Sequence, residues 1–326
     1  MSPHILVTGG SGFIGGHVVA ALRELGTGGT PPRVRLLLRE GASLPAGAGA
    51  GAGAGSVDGA LVTDVVRADL ADPSSLRGVC DGIDVVLHCA SHIGDDERRA
   101  ETVNDHGTRA LVEEAARAGV ARVVYVSTAA VYGRGPFASA SVGELPYAPA
   151  SPTSRTRAAA ERHVLDAGGV VLRPHLVLGS GDRWVVPGLA ALLGLLSAGL
   201  KGCAARHSVV DVRELGRAVV AAGLSEDRDL AGAHHVNHPE PVDVSLLLDT
   251  VADRLGLRLP GPPLHIDEAR TRLAGQPRAL HHLGMIAVDH WFADGGFWAR
   301  VGVDPGAGFG QRMAEHAPWY RGFVGR

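Results

Sequence analysis

Eight residues near the start of the chain, Thr8 to Gly15 (TGGSGFIG), constrain its folding more than any other stretch. They follow the apolar run Ile5-Leu6-Val7, and Gly9, Gly12 and Gly15 fall three residues apart at the junction with an amphipathic segment. That order has a physical use. The first glycine permits a tight turn, the second lets the backbone approach a pyrophosphate, and the third brings helix and strand close. The anion then meets unpaired amides at the positive end of a helix dipole. In a chain with 46 glycines a triplet alone says little. Apolar residues at Ile14, Val18, Leu22 and Leu25 supply the helical period behind it, and strand, glycines and helix together predict a dinucleotide site.

A chain of 326 residues, 45% hydrophobic, suits a large α/β domain with a small appendage. The net charge of −3 gives no electrostatic footprint for nucleic acid or an anionic membrane. Cys80, Cys89 and Cys203 have neither disulfide-framework nor zinc spacing, so the reading is a cytoplasmic protein without a bound metal. The glycine loop begins within ten residues of Met1, and no signal peptide is expected. Lys201 is the only lysine, which limits the chemistry open to the chain.

After the first helix, Val34 to Leu38 is apolar apart from Arg35 and reads as a buried parallel strand. It ends at Arg39, where a dinucleotide fold meets the adenosine ribose; an arginine there pairs with a 2′-phosphate and points to NADPH over NADH. Residues 46–55, alternating Ala and Gly, can bury nothing and read as a flexible insertion. Further strands are expected over 61–66, 84–89, 122–127 and from 170, with a helix over 103–118 ended by Gly119. Alternating strands and helices predict an α/β, doubly wound parallel sheet of Rossmann type. The apolar stretch 185–200 falls short of the roughly 20 residues a membrane span needs and reads as a buried or pocket-lining helix. A strand and helix are expected over 207–220 and a helix over 236–255. The tail aromatics Trp291, Phe292, Phe297, Trp298, Trp319 and Tyr320 either seal a small core or line an aromatic-binding pocket.

Taken together, these residues resemble the extended short-chain dehydrogenase/reductase family, along the chain to about residue 260. TGGSGFIG matches its N-terminal fingerprint. Asp69-Leu70 resembles the pair that meets the adenine, and DVVLHCAS, through Cys89, Ala90 and Ser91, the strand ending beside the ribose. Asn104 matches the family's structural and catalytic asparagine, and VSTAAVYG places Thr128 as the catalytic Ser or Thr, after Ser127. Leu172-Arg173-Pro174 and Gly179-Ser180-Gly181-Asp182 match the segment passing the nicotinamide. The resemblance implies cofactor contacts from Gly9, Gly12, Phe13, Ile14, Gly15, Arg39, Asp69, Leu70, Cys89, Ala90, Ser91, Arg157 and Pro174. It also implies a dinucleotide-binding domain over 1–179, to which 205–237 returns, and a smaller substrate region from 180–204 and 238–326 with a C-terminal substrate-binding role.

The departure lies at the catalytic centre. The family uses Tyr-x-x-x-Lys after the fifth strand; here the stretch is Pro152-Thr153-Ser154-Arg155-Thr156-Arg157, followed by Ala160-Glu161. Thr153 follows Thr128 by 25 positions, so Thr153 stands in the tyrosine slot and Arg157 in the lysine slot. A threonine hydroxyl is not among the usual proton-transfer groups, and arginine does not relay protons. The catalytic candidates are therefore Ser127, Thr128, Thr153 and Arg157, in a site that retains cofactor binding and lacks the family's acid. Of two proton routes, a phenol carried by the substrate beside its carbonyl is favoured over a hydroxyl or histidine (His92, His175 or His207) acting through water, because nothing in the sequence marks a dedicated replacement acid. The expected activity is an NADPH-dependent ketoreductase acting on a bulky aromatic polyketide, angucyclinone-like, as in antibiotic biosynthesis; a homodimer is compatible with it. The alternatives are a non-catalytic NAD(P)-sensing regulator and a nucleotide-sugar epimerase, dehydratase or 4-ketoreductase.

Overall fold

A computed structural model describes residues 2–26, 32–43 and 62–325; the Ala-Gly stretch 46–55 lies outside them. The central sheet has seven parallel strands in the order β11-β7-β5-β4-β1-β2-β3. In chain order the first half contains β1 (His4–Thr8), α1 (Phe13–Gly26), β2 (Arg33–Leu38), β3 (Val62–Arg67) and β4 (Val85–His88). Then come α2 (Glu97–Ala100), a π-helical turn (Glu101–His106), α3 (Gly107–Arg117) and β5 (Arg122–Val126). After β6 (Phe137–Ala140) follow α4 (Pro152–Asp166), β7 (Val170–Arg173), β8 (Leu176–Leu178) and α5 (Val185–Leu196). β9 (Arg206–His207), β10 (Val209–Asp211), α6 (Val212–Leu224), β11 (Gly232–His235) and β12 (Val242–Asp243) lead to α7 (Val244–Leu255). The chain closes with α8 (Ile266–Arg272), α9 (Pro277–Ile286), β13 (His290–Phe292), α10 (Phe297–Val301) and α11 (Phe309–Val324).

Period-two alternation sorts the strand side chains onto two faces. Ile5, Val7, Leu36, Leu38, Val85, Leu87, Val124 and Val126 pack with α1 and α6. Leu6, Leu37, Val86, Val123 and Tyr125 pack with Leu111 and Ala115 of α3 and Ala160 and Val164 of α4. Each fully buried Val or Leu contributes roughly 1.5–3 kcal/mol, so a strand apolar on both faces is stable only in the middle layer. Gly216 lets α6 reach α1, since a Cβ there would lie 2.7 Å from His17 O.

A second core gathers α5, α7, α9 and α11 around Leu193, Leu196, Leu248, Val251, Leu283 and Tyr320. A four-stranded sheet, β12-β9-β13-β6, and the pair β10-β8 stand beside it. Two helix expectations need correction. The helix expected over 236–255 begins only at Val244, because Pro239 and Pro241 bar the preceding turn. The helix expected over 103–118 starts earlier, at Glu97 with Asp96 as its N-cap, and carries the π-turn. Among the tail aromatics, Phe297 and Trp298 complete the main core, and Phe292 and Tyr320 are buried elsewhere. Among the described residues, no helix is long and apolar enough to cross a membrane.

Candidate active site

The sheet order reverses between β1 and β4, where a ligand crevice is expected at the carboxyl ends of the strands. A cleft of about 1270 Å³ opens there. It is lined by Gly9 to His17, Arg39, Asp69, Leu70, Cys89 to Ile93, Val126, Arg157 and the turn Ser180-Gly181. The glycine loop fits a dinucleotide. Gly12 N donates to Gly9 O at 2.9 Å. A Cβ on Gly9 would lie 2.6 Å from Ala90 N, and one on Gly15 only 2.1 Å from Gly9 O, so glycine alone closes this turn. At the far end Asp69 caps its own turn, its Oδ1 accepting Ala71 N at 2.9 Å. Arg39 is exposed, and its guanidinium has no partner among the described residues. Thr8, His88 and Thr108 form a buried chain under the floor (2.6 and 2.9 Å). Burial, aided by Arg157, lowers the His88 imidazole to about 3. Burial also pushes the Cys89 thiol up to about 12, which leaves it inert as a nucleophile.

The four catalytic candidates are held differently. Ser127 is buried, its hydroxyl donating to Glu161, and it does not line the cleft. Thr128 is half-buried and caps the turn 129–132, accepting Ala130 N at 3.2 Å. Thr153, on the first turn of α4, directs Oγ1 to Gly94 O at 3.4 Å. Arg157 reaches the cleft, with Nη2 donating to Val126 O at 2.5 Å. Pro174 is buried, and its carbonyl accepts Ala129 N at 2.8 Å.

Behind these residues lies an ion pair that sequence reasoning did not find. Glu161 and Arg173 are buried and joined by bonds of 2.5 and 3.1 Å. Ser127 and Tyr147 donate to the same carboxylate, and Arg173 donates to Tyr132 Oη at 2.6 Å. Burial and the Glu161 carboxylate raise the Tyr147 phenol further from neutrality, so it does not replace the absent acid. His175 and His207 also belong to packing: with His290 they form a stack of near-parallel rings 5.4–5.8 Å apart.

Asn104 fixes the segment between cofactor loop and α4. Its Oδ1 accepts His92 N (2.7 Å), while its Nδ2 donates to His92 O and to Thr156 Oγ1 (both 3.0 Å). The π-helical turn carries Asn104, a deviation that recurs at functional sites. Two cleft nitrogens, His92 Nε2 and Arg157 Nε, are buried without a hydrogen-bond partner among the described residues.

The opposite wall comes from regions where sequence reasoning placed no cofactor contact. Trp184, Pro318, Trp319 and Phe323 line it, the last two rings stacked 5.1 Å apart. The turn Ser180-Gly181 is latched from α11. His316 Nδ1 accepts both Ser180 Oγ and Ser180 N (3.0 and 3.1 Å), while Nε2 donates to Asp211 at 2.7 Å. Burial alone would raise Asp211, but its bonds from His316 and Arg213 hold it well below the usual range. Tyr320, one turn on, accepts Gly179 N at 2.8 Å. The spacing of His316 and Tyr320 on one helix face was the available sequence signal.

A doubly wound sheet with a glycine-rich crevice at its switch point defines a nicotinamide-dinucleotide enzyme class, covering oxidoreductases, epimerases and dehydratases. The chain belongs to the NAD dependent epimerase/dehydratase family, whose model matches residues 5–234. It is 28% identical to a 3 beta-hydroxysteroid dehydrogenase/Delta 5→4-isomerase of Mycobacterium tuberculosis, covering 97% of this chain and 90% of the relative. It is 26% identical to a 2-alkyl-3-oxoalkanoate reductase of Stenotrophomonas maltophilia, covering 93% and 96%. In fold it is similar to the Bordetella bronchiseptica enzyme WbmH in complex with NAD+, with a TM-score of 0.72, 21% identity and 99% and 100% of the two chains covered.

Proposed function

We propose that this protein is an NADPH-dependent ketoreductase acting on a bulky, aromatic polyketide ketone of angucyclinone type. The carrying observation is the state of the tyrosine slot: Thr153 offers a hydroxyl already directed to Gly94 O, and Arg157 is tied to Val126 O. Neither is a proton donor matched to neutral pH, so a phenol on the substrate, beside its carbonyl, supplies the acid. Loss of the pair is shared with the angucyclinone ketoreductase of simocyclinone biosynthesis, which the chain resembles. The bound dinucleotide supplies hydride. The chain's own residues cradle the pyrophosphate at Gly9 to Gly15, hold the adenine end at Asp69-Leu70, and close the cleft from Ser180-Gly181. Arg39, without a side-chain partner among the described residues and just past the end of β2, supports the 2′-phosphate preference. The second core is the proposed substrate region, and a relative named for a fused-ring steroid supports a bulky ligand. Epimerase and dehydratase chemistry leans on the missing phenol and is disfavoured for that reason. The test is NADPH consumption across aromatic hydroxyketones and nucleotide sugars. Turnover of the hydroxyketones alone is expected; NADPH binding with no turnover of any carbonyl would make the protein a dinucleotide sensor.

A further inference from the structure

We propose that the turn Ser180–Arg183 is the second half of the diphosphate cradle. The Ser180 hydroxyl and the Arg183 guanidinium hold the dinucleotide's diphosphate from the side facing α1, and His316 of α11 positions them. The inference concerns the dinucleotide, so it goes beyond the ketoreductase reading and holds whichever carbonyl is reduced. The sequence resemblance assigns this segment to the nicotinamide; its contacts are with α1 instead. His17 Nε2 donates to Ser180 O at 3.0 Å, and a Cβ on Gly181 would lie 2.9 Å from the Phe13 ring. Phe13 and His17 are one turn apart at the start of α1. The turn therefore stands over the helix end that offers its amides to a diphosphate. Ser180, Gly181 and Arg183 line the cleft there together with Gly12 and Phe13.

The helix end supplies only about half a positive charge against a doubly charged diphosphate, so a cation belongs beside it. Of the arginines lining the cleft, Arg39 stands at the ribose end and Arg157 donates to Val126 O. Arg99 leads into the helix whose Gly107 packs on Leu70, at the adenine end. Arg183 is exposed, lines the cleft and has no partner among the described residues. The Ser180 hydroxyl is available for a different reason. His316 Nε2 donates to Asp211 at 2.7 Å, which leaves Nδ1 an acceptor with a single lone pair. The Ser180 amide and hydroxyl both point to it, at 3.1 and 3.0 Å. The amide satisfies Nδ1 on its own, so the hydroxyl hydrogen can turn to a phosphate oxygen and leave no acceptor bare. The turn is fixed from both ends. Gly179 and Gly181 have φ of +138° and +103°. The Asp182 carboxylate accepts the amides of Trp184, Val185 and Val186 at 2.7–2.9 Å, and the Tyr320 hydroxyl at 3.0 Å. Arg183 thus stands between two anchored residues.

The test is titration calorimetry of the full chain, with no carbonyl substrate, using NADP+ and 2′-AMP. The second ligand shares the adenosine 2′-phosphate and lacks the diphosphate. Arg183→Met and Ser180→Ala are each expected to weaken NADP+ about tenfold or more, as loss of a hydrogen bond to a charged group implies. Binding of 2′-AMP is expected to stay within about twofold of wild type, because its phosphate does not reach this turn. Arg183→Lys, which keeps the charge, is expected to recover part of the loss. His316→Ala is expected to weaken NADP+ in the wild-type chain and to cost nothing further once Ser180→Ala and Arg183→Met are present, which a purely structural role would not produce. NAD+ and adenosine are expected to give the same contrast, so the outcome does not depend on the 2′-phosphate preference. Unchanged NADP+ and NAD+ affinity in both folded single variants would overturn the inference. So would an equal loss for the ligands that lack a diphosphate. A wild-type chain that binds NADP+ as described and reduces no carbonyl would overturn the ketoreductase reading and leave this one standing.

Discussion

Two of the helices that line the cleft, α1 and α4, offer a ligand opposite things. The first turn of α1 offers backbone: amides at a helix N-terminus, reached through glycines packed too closely for any side chain. The first turns of α4 offer side chains already committed inside the protein, Thr153 to Gly94 O and Arg157 to Val126 O. The dinucleotide cradle is built from main chain and depends on the absence of a side chain at Gly9 and Gly15. Acid catalysis is built from two side chains, and neither is present here.

That contrast breaks first at α1. Gly15→Ala puts a Cβ 2.1 Å from Gly9 O, and dinucleotide binding by calorimetry is expected to fall about 5- to 150-fold, overpacking of this kind costing about 1–3 kcal/mol. Glu161→Gln probes what holds α4. It leaves Arg173 buried without its counter-charge, and denaturant unfolding is expected to show a loss of about 3–5 kcal/mol with no dependence on cofactor. Acid should weaken the same half. Burial lowers His207 and His235 to about 4 and depresses His175 and His290. The folded state thus binds fewer protons than the unfolded one below pH ~6.5, and stability falls as pH drops from there toward 4, by up to ~1.4 kcal/mol per pH unit for each histidine. Thermal melts at pH 7.5 and 5 check this, and an unchanged midpoint would refute it. Arg39→Ala is expected to cut the preference for NADPH over NADH by about 10- to 100-fold, as loss of a charge-assisted bond implies. The smallest effects belong to α4 and its neighbour: Thr153→Val and Thr128→Val should each lower kcat less than about threefold, against the 100- to 10,000-fold that general acids contribute.

The sheet was legible because its code is local. Glycines at a strand end and apolar alternation through Val34–Leu38 or Val85–Leu87 report burial directly. The resemblance puts Thr153 in the tyrosine slot by its spacing from Thr128, and the structure places its hydroxyl toward Gly94 O. Invisible were contacts that join distant segments. Nothing local pairs Glu161 with Arg173 and Tyr147, joins His316 to Asp211 and Ser180, or fixes the His92 backbone through Asn104. Each depends on side chains 12 to 136 positions apart meeting only after the sheet has formed. The stacked His175, His207 and His290 show the converse: histidines that attract notice in sequence serve packing once folded.

The decisive measurement compares kcat/KM of the wild-type enzyme for 8-hydroxy-1-tetralone and for its methyl ether, which keeps the carbonyl and loses the phenolic proton. If the fold delivers hydride and the ligand brings its own acid, the hydroxy compound is reduced at least ~100-fold faster. Equal rates would mean that a protein group does the protonating, and would contradict the account given for α4.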